Sequence, residues 1–243
     1  MSGHSKWSTI KHQKGAEDRK RGNVFTKLTR VITLAAKGGG GDPEANFKLR
    51  LAIEKAKEAN MPKDKINKAI ERGLGKTVGS EVQECFYEGY GPSGIAVMME
   101  IVTDNKNRIF SEIKTFFEKN GGSLGGHGSV SYLFENCGLI RIDLESKPAD
   151  ETMLKIIDLG VLDVDEVKNG VEIFVEPSKV EETRKKLEKE GFKILSAELF
   201  WRPKTTILIE DPIKIEKAID FLERLEELDD VQAVYSNVDV IGK

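Results

Sequence analysis

Six consecutive segments constrain the fold more than any other feature of this chain: GLIRIDL, ADETMLKIIDLG, VLDVDEV, GVEIFVE, SKVEETRKKLEKEG and KILSAELFW. The first, third, fourth and sixth are short runs suited to strands. The second and fifth repeat apolar residues at helical spacing. The two central strands are separated by KNG, whose Asn169-Gly170 pair suits the positive φ of a tight hairpin turn. The order β-α-β-β-α-β is that of a ferredoxin-like unit.

A βαβ pattern flanks this block on each side. Upstream, GIAVMMEIVTD reads as a strand, KNRIFSEIKTFFEKNGG as a helix and GSVSYLFE as a strand. Downstream, TTILIED, IKIEKAIDFLERLEEL and VQAVYSNVDV repeat the pattern. A linear string of half-domains would leave each half with an unpaired apolar sheet edge. Nesting avoids that edge: the two flanking units form one ferredoxin-like domain, residues 79–135 plus 204–243, and the complete block, residues 136–203, is inserted in it. GLGKTVGSE, around residues 73–81, is the expected hinge to what precedes.

The first 78 residues read as helices. Val24, Leu28, Val31, Ile32 and Ala35 make one apolar stripe. Lys20, Lys27, Arg30 and Lys37 lie off that stripe, facing solvent or a ligand. Asp42 is the expected N-cap of a second helix with Pro43 at its first position. MPKD opens a third, whose stripe is Ile66, Ala69 and Ile70 and whose end is Gly73. The predicted class is therefore α+β: an N-terminal three-helix basic bundle followed by two ferredoxin-like α+β domains, one inserted in the other.

The net charge of −3 over 243 residues hides a split. Residues 1–76 carry 18 Lys and Arg against 8 Asp and Glu, whereas the remainder carries 20 against 33. Two explanations compete. A polyanion-facing domain can be joined to acidic ones, or the two parts can simply dock. Positive charge is densest where packing residues are fewest, which favours the first. The acidic EEL and LDD near the C-terminus read as a solvated helix flank, or as a surface that repels nucleic acid and confines binding to the basic domain.

Other patterns exclude function classes. Cys85 and Cys137 form no CxxC unit, and His4, His12 and His127 show no metal-helix spacing, so neither a zinc site nor a disulfide scaffold is expected. The P-loop pattern needs Gly where Ile70 stands before Gly75-Lys76-Thr77. GGSLGGHGS follows a helix and precedes a strand, the reverse of a dinucleotide loop. YEGYGPSG sets two tyrosines among glycines, either to stack on a ligand or to cover the end of a sheet. No local pattern singles out a nucleophile or an acid–base pair, so no enzyme activity and no cofactor are expected. No run approaches a membrane-spanning length, and the basic opening lacks both the apolar core of a secretory signal and the acid-free composition of a mitochondrial presequence. A cytoplasmic protein without a membrane partner is expected.

The opening stretch GHSKWSTIKHQKGAEDRKRG holds the strongest functional content. Lys6, Lys11, Lys14, Arg19, Lys20 and Arg21 surround Trp7 and His12. Clustered cations with an interleaved aromatic suit phosphate contact and base stacking. Trp7 can instead pack on the bundle and pin the loop. With Lys27 and Arg30, these are the candidate nucleic-acid-binding residues.

Several blocks resemble the YebC family of bacterial proteins: GHSKWSTIKHQKGAEDRKRGNVFTKL, GGGGDPEANFKLRLAIEKAKEANMPKD, YEGYGPSGIA, TDNKNR, GSLGGHGSVSYLF, PKTT and DDVQAVYSN. The resemblance spans nearly the whole chain. Ser93 departs from it where the family often has Gly, His127 where a small residue is usual, and Phe47 at a variable helix start. The resemblance implies three domains and a cytoplasmic DNA-binding transcriptional regulator whose partner is promoter DNA. Relatives such as the mitochondrial translational activator of cytochrome c oxidase imply an alternative: a ribosome-associated translation factor that relieves stalling at proline-rich sequences and binds ribosomal RNA. In either case the acidic domains are left to hold a protein or ribosomal partner.

Overall fold

The structure is a computed structural model that describes residues 21–76, 81–144, 150–167 and 170–240, with the side chains of 21–23, 150 and 151 outside the description. It is α+β, with three helices followed by sheet-containing units. Helices α1 (Arg21–Gly39), α2 (Phe47–Glu58) and α3 (Lys63–Gly73) form the bundle. Their shared core is small and aliphatic: Ile32, Ala35 and Ala36 from α1, Leu49, Ala52, Ile53 and Ala56 from α2, and Ile66 and Ala69 from α3. Alanines let the helices approach closely. A Cβ on Gly73 would stand 2.4 Å from the Thr33 carbonyl oxygen and 2.8 Å from the Ala36 Cβ.

The cap of α2 differs from the sequence reading. Asn46 is the N-cap, accepting from Leu49 N at 3.1 Å, while Asp42 closes the preceding turn by accepting from Glu44 N at 3.0 Å. The physical reason is that Asn46 also donates. Its amide reaches the carbonyls of Ala35 and Gly40, both at 2.8 Å, which ties the start of α2 to the end of α1. An aspartate cannot donate in this way.

The first sheet has the order β3-β1-β2-β9, from β1 (Gln83–Tyr90), β2 (Ala96–Thr103), β3 (Ser123–Gly125) and β9 (Val231–Ser236), all paired antiparallel. Helix α4 (Lys106–Lys119) follows β2, and α7 (Pro212–Glu226) precedes β9. The run GIAVMMEIV is apolar on both faces because β2 is central and covered twice. Val97, Met99 and Ile101 pack with Ile109, Ile113 and Phe117 of α4 and with Phe221, Leu222 and Leu225 of α7. Ala96 and Met98 pack with Tyr235, Phe200 and Trp201 on the other side.

The second sheet has the order β5-β6-β4-β7, from β4 (Phe134–Asp143), β5 (Asp163–Val167), β6 (Gly170–Val175) and β7 (Lys193–Pro203). With α5 (Asp150–Ile157) and α6 (Val180–Lys189) it runs β-α-β-β-α-β in chain order. Val167 pairs with Gly170, and Lys168 and Asn169 between them lie outside the described residues. The first sheet draws strands from both sides of this segment. The two sheets meet through aromatic pairs, Phe86 with Trp201 at 5.8 Å and Phe200 with Tyr235 at 5.5 Å between ring centroids.

Two strand assignments change. The stretch QECFYEGY is a strand, and YEGYGPSG is its end and the turn into β2. Half-burial and Gly89 weaken its alternation in the sequence. GSVSYLFE is not one strand: Ser131–Leu133 form a 3-10 turn, and the strand starts at Phe134 and belongs to the second sheet. In addition, β8 (Ile207–Ile209) pairs parallel with β10 (Val238–Val240) and not within the first sheet. β1 takes the central place beside β2 instead.

Two substitutions test these placements by thermal melting. Gly73→Ala should destabilise the protein by about 1–3 kcal/mol, because the new methyl meets backbone of α1 that cannot yield. Ser93 has a φ of 64°, in the left-handed region. A residue with a Cβ is disfavoured there by about 1–2 kcal/mol, partly offset in glycine by greater unfolded-state freedom. Ser93→Gly should therefore raise the melting temperature modestly.

Candidate nucleic-acid interface

Of the candidate residues, Lys6, Trp7, Lys11, His12, Lys14, Arg19 and Lys20 lie outside the described ones. Arg21 opens α1. Lys27 and Arg30 are described fully, and both turn toward the body of the protein. The Lys27 ammonium donates to the Glu226 carbonyl. Arg30 donates to the Asp229 carbonyl at 2.5 Å and pairs with the Asp230 carboxylate at 2.7 Å. Lys37 meets Glu81 at 2.5 Å. The part of this side that carries Lys27 and Arg30, read from sequence as facing solvent or a ligand, faces the acidic segment at the end of α7, while Lys37 is exposed as expected. The reason is that the last carbonyls of a helix lack partners within it and concentrate negative potential, so cations settle there.

Asp230 is the hub of this contact. It is 3% exposed. One carboxylate oxygen takes Arg30. The other takes Arg108 at 2.6 Å and the Thr103 hydroxyl at 2.8 Å. The Asp230 carbonyl accepts from Val102 N at 2.9 Å. One residue thus ties α1, the end of β2, the first turn of α4 and the start of β9. Sequence reading missed this role. Its signals were present in LDD and in TDNKNR, but nothing local reveals that the two meet.

Helix α2 makes a second set of ionic contacts, with the inserted segment. Lys55 meets Glu198 at 2.5 Å, and Arg50 lies 3.5 Å from Glu181. Arg50 and Lys65 also use aromatic faces: Arg50 over Phe47 at 5.7 Å and Lys65 over Phe25 at 5.2 Å. Lys48, Lys57, Lys63, Lys65, Lys68 and Lys76 are exposed. They outnumber the exposed acids of the same stretch, Asp42, Glu44, Glu58, Asp64 and Glu71, and leave positive charge open to a ligand.

The other motifs settle as follows. The loop after β3 is held from below by Glu88, whose side chain is 2% exposed. Its carboxylate accepts from Gly128 N at 2.9 Å and from Val130 N and Ser131 N, both at 2.8 Å. Burial pushes this carboxyl up, but those amides and the Ser131 hydroxyl outweigh burial and hold it below the usual carboxylate range. His127 is 94% exposed beside it, with Nδ1 3.3 Å from Glu88. Tyr90 donates to the Ser129 carbonyl at 2.9 Å, so this tyrosine fastens the loop at the sheet end. Cys85 and Cys137 are free thiols, and burial pushes Cys137 up to about 12, which keeps it protonated. Among the described residues no group of three or more His, Cys, Asp or Glu is placed to hold a metal ion. Among them, too, no helix is long and apolar enough to cross a membrane.

Comparison with known proteins adds a full-length likeness. Residues 5–76 match a family model described as the TACO1/YebC protein N-terminal domain, and residues 82–238 match one described as the TACO1/YebC second and third domain. A protein of Halothermothrix orenii named "Probable transcriptional regulatory protein" is 46% identical over 242 residues, covering 99% of this chain and 96% of the relative. One of Chloroflexus aggregans with the same name is 49% identical over 243 residues, with coverage of 99% and 96%. The crystal structure of a conserved hypothetical protein from Aquifex aeolicus superposes with a TM-score of 0.88 at 43% identity and 98% coverage of each chain.

Glu88 gives a pH test. Its lowered value in the fold means that its stabilisation is present above the unfolded value of about 4.3 and is lost as pH falls through the folded one. Glu88→Gln should cost about 1–3 kcal/mol at neutral pH, since a neutral amide cannot satisfy the three donors equally. The gap between the melting temperatures of wild type and variant should close as the pH is lowered through 4 toward 3.

Proposed function

This chain belongs to the TACO1/YebC family, and on that premise we propose that it is a nucleic-acid-binding regulatory protein of the cytoplasm, acting on DNA in transcription through its basic N-terminal bundle. The observation that carries the reading is the concentration of 18 Lys and Arg against 8 Asp and Glu in residues 1–76. That stretch nearly coincides with the separately matched N-terminal domain. Phosphate contacts supply sequence-independent affinity, and cations on short helices and an adjoining basic segment are suited to them. The exposed lysines on α2, on α3 and just beyond α3 add to the positive charge that the opening stretch carries. The name carried by the relatives supports transcription as the process served. The role is regulatory and not catalytic.

Within this reading Lys6, Lys11, Lys14, Arg19, Lys20 and Arg21 contact phosphates, and Trp7 stacks on a base or anchors the segment. Replacing Lys11, Lys14 and Arg21 together by Ala should weaken binding to duplex DNA while leaving the melting temperature nearly unchanged. For about six neutralised phosphates, the log affinity for duplex should fall against log salt with a slope of roughly −5. The triple variant should show a shallower slope. A collapse in stability with binding intact would make the opening stretch a structural clasp. Tighter binding to structured ribosomal RNA than to promoter duplex at equal salt would move the target from promoter to ribosome.

A further inference from the structure

Lys27, Arg30 and Lys37 occupy one side of α1, and each meets an oxygen of the acidic body: the Glu226 carbonyl, the Asp229 carbonyl with the Asp230 carboxylate, and Glu81. A row of cations on a helix, each answered by an anionic or carbonyl oxygen, has the chemistry of a phosphate-backbone contact. The contact is mainly ionic. The bundle's apolar cluster is made of bundle residues alone, and Phe47 is the bundle side chain that joins the apolar cluster of the inserted segment. Polar interfaces of this kind yield to salt and to competing charge more readily than apolar ones.

We propose that the segment Glu226–Asp230, together with Glu81, is an internal mimic of nucleic-acid phosphate, which holds the cations of α1 in a docked state and is displaced when a nucleic acid binds. This rests on the nucleic-acid reading above and adds its regulation. The apparent affinity is then reduced by the fraction of molecules that are docked, and any change that loosens the dock raises it. The acidic LDD has a positive task in this scheme: it occupies the stripe until a stronger polyanion arrives. Arg108 tunes the dock from the other side. It shares Asp230 with Arg30 and so dilutes the pull of that carboxylate on α1.

The test is fluorescence anisotropy with a labelled DNA duplex and a labelled single-stranded RNA at fixed moderate salt, using the full chain. Asp230→Asn should raise affinity for the bound nucleic acid by about fivefold, the lower end of typical coupling between linked sites. Arg108→Gln leaves the Asp230 carboxylate to Arg30 and the Thr103 hydroxyl, with Arg30 its one remaining cation of these two, and should lower affinity. Both variants remove a bond to Asp230, so damage to the fold moves both in the same direction, whereas the proposal requires opposite signs. If Asp230→Asn does not give a cooperative melt, Glu81→Gln takes its place. That residue pairs with Lys37 at the surface, and its loss should raise affinity by a smaller factor. Unchanged or weaker binding by a folded Asp230→Asn, or by Glu81→Gln in its place, with wild type binding normally, overturns the mimic and leaves the nucleic-acid reading standing. Failure of wild type and all variants to bind either probe overturns both.

Discussion

A single buried carboxylate organises the contact between the helical and sheet-containing parts of this protein. Asp230 is almost wholly removed from water and is answered by two guanidiniums and a hydroxyl. An ionised group in that position is stable only while its partners remain, so the elements that supply them are held in register with one another. Arg30 brings α1, Arg108 brings α4, and Thr103 brings the end of β2. The residue stands where α7 hands over to β9, so the last helical carbonyl, that of Glu226, and the Asp229 carbonyl just beyond the helix add to the attraction for the cations of α1.

The first sheet gives this hub a rigid base. Its central strand β2 is buried on both faces, against α4 and α7 on one side and against the aromatic residues of β7 and β9 on the other. Glu100 interrupts that apolar run and is met by the Tyr235 hydroxyl at 3.1 Å. Burial raises the carboxyl and the phenol alike, and the bond between them lets two polar groups sit within an apolar junction. At the far end of the sheet, Glu88 does comparable work for the glycine-rich loop, with backbone amides in place of guanidiniums. Both ends of the sheet are thus fastened by an acidic side chain that sequence patterning marks only as a charge inside a strand or a turn.

The pattern of the chain was legible where it is repeated locally. The segment with β4 to β7 shows its order because its strands and helices are short, regular and bounded by turn residues. The bundle shows its three helices through stripes such as Ile66, Ala69 and Ile70. β1 was not legible, because Gly89 and half-buried positions blur its alternation, and its place beside β2 depends on pairing with a strand the sequence does not mark as its partner. The cap of α2 was misplaced for a related reason. Asn46 is chosen by bonds to Ala35 and Gly40, two carbonyls that local propensity does not contain.

The candidate site divides along the same line. The sequence by itself determined the sign of the charge and its location, because an excess of Lys and Arg over the first 76 residues is a count that no folding can alter. It also determined that α1 has an apolar side and a cationic side, because helical periodicity follows from backbone geometry. Which way the cationic side points was decided only by tertiary structure. Lys27 and Arg30 could have faced water, but the acidic end of α7 and the buried Asp230 are brought to them from nearly two hundred residues away. Coulombic attraction acts through space and not along the chain, so the partner of a charge is known only when the fold has set the distances.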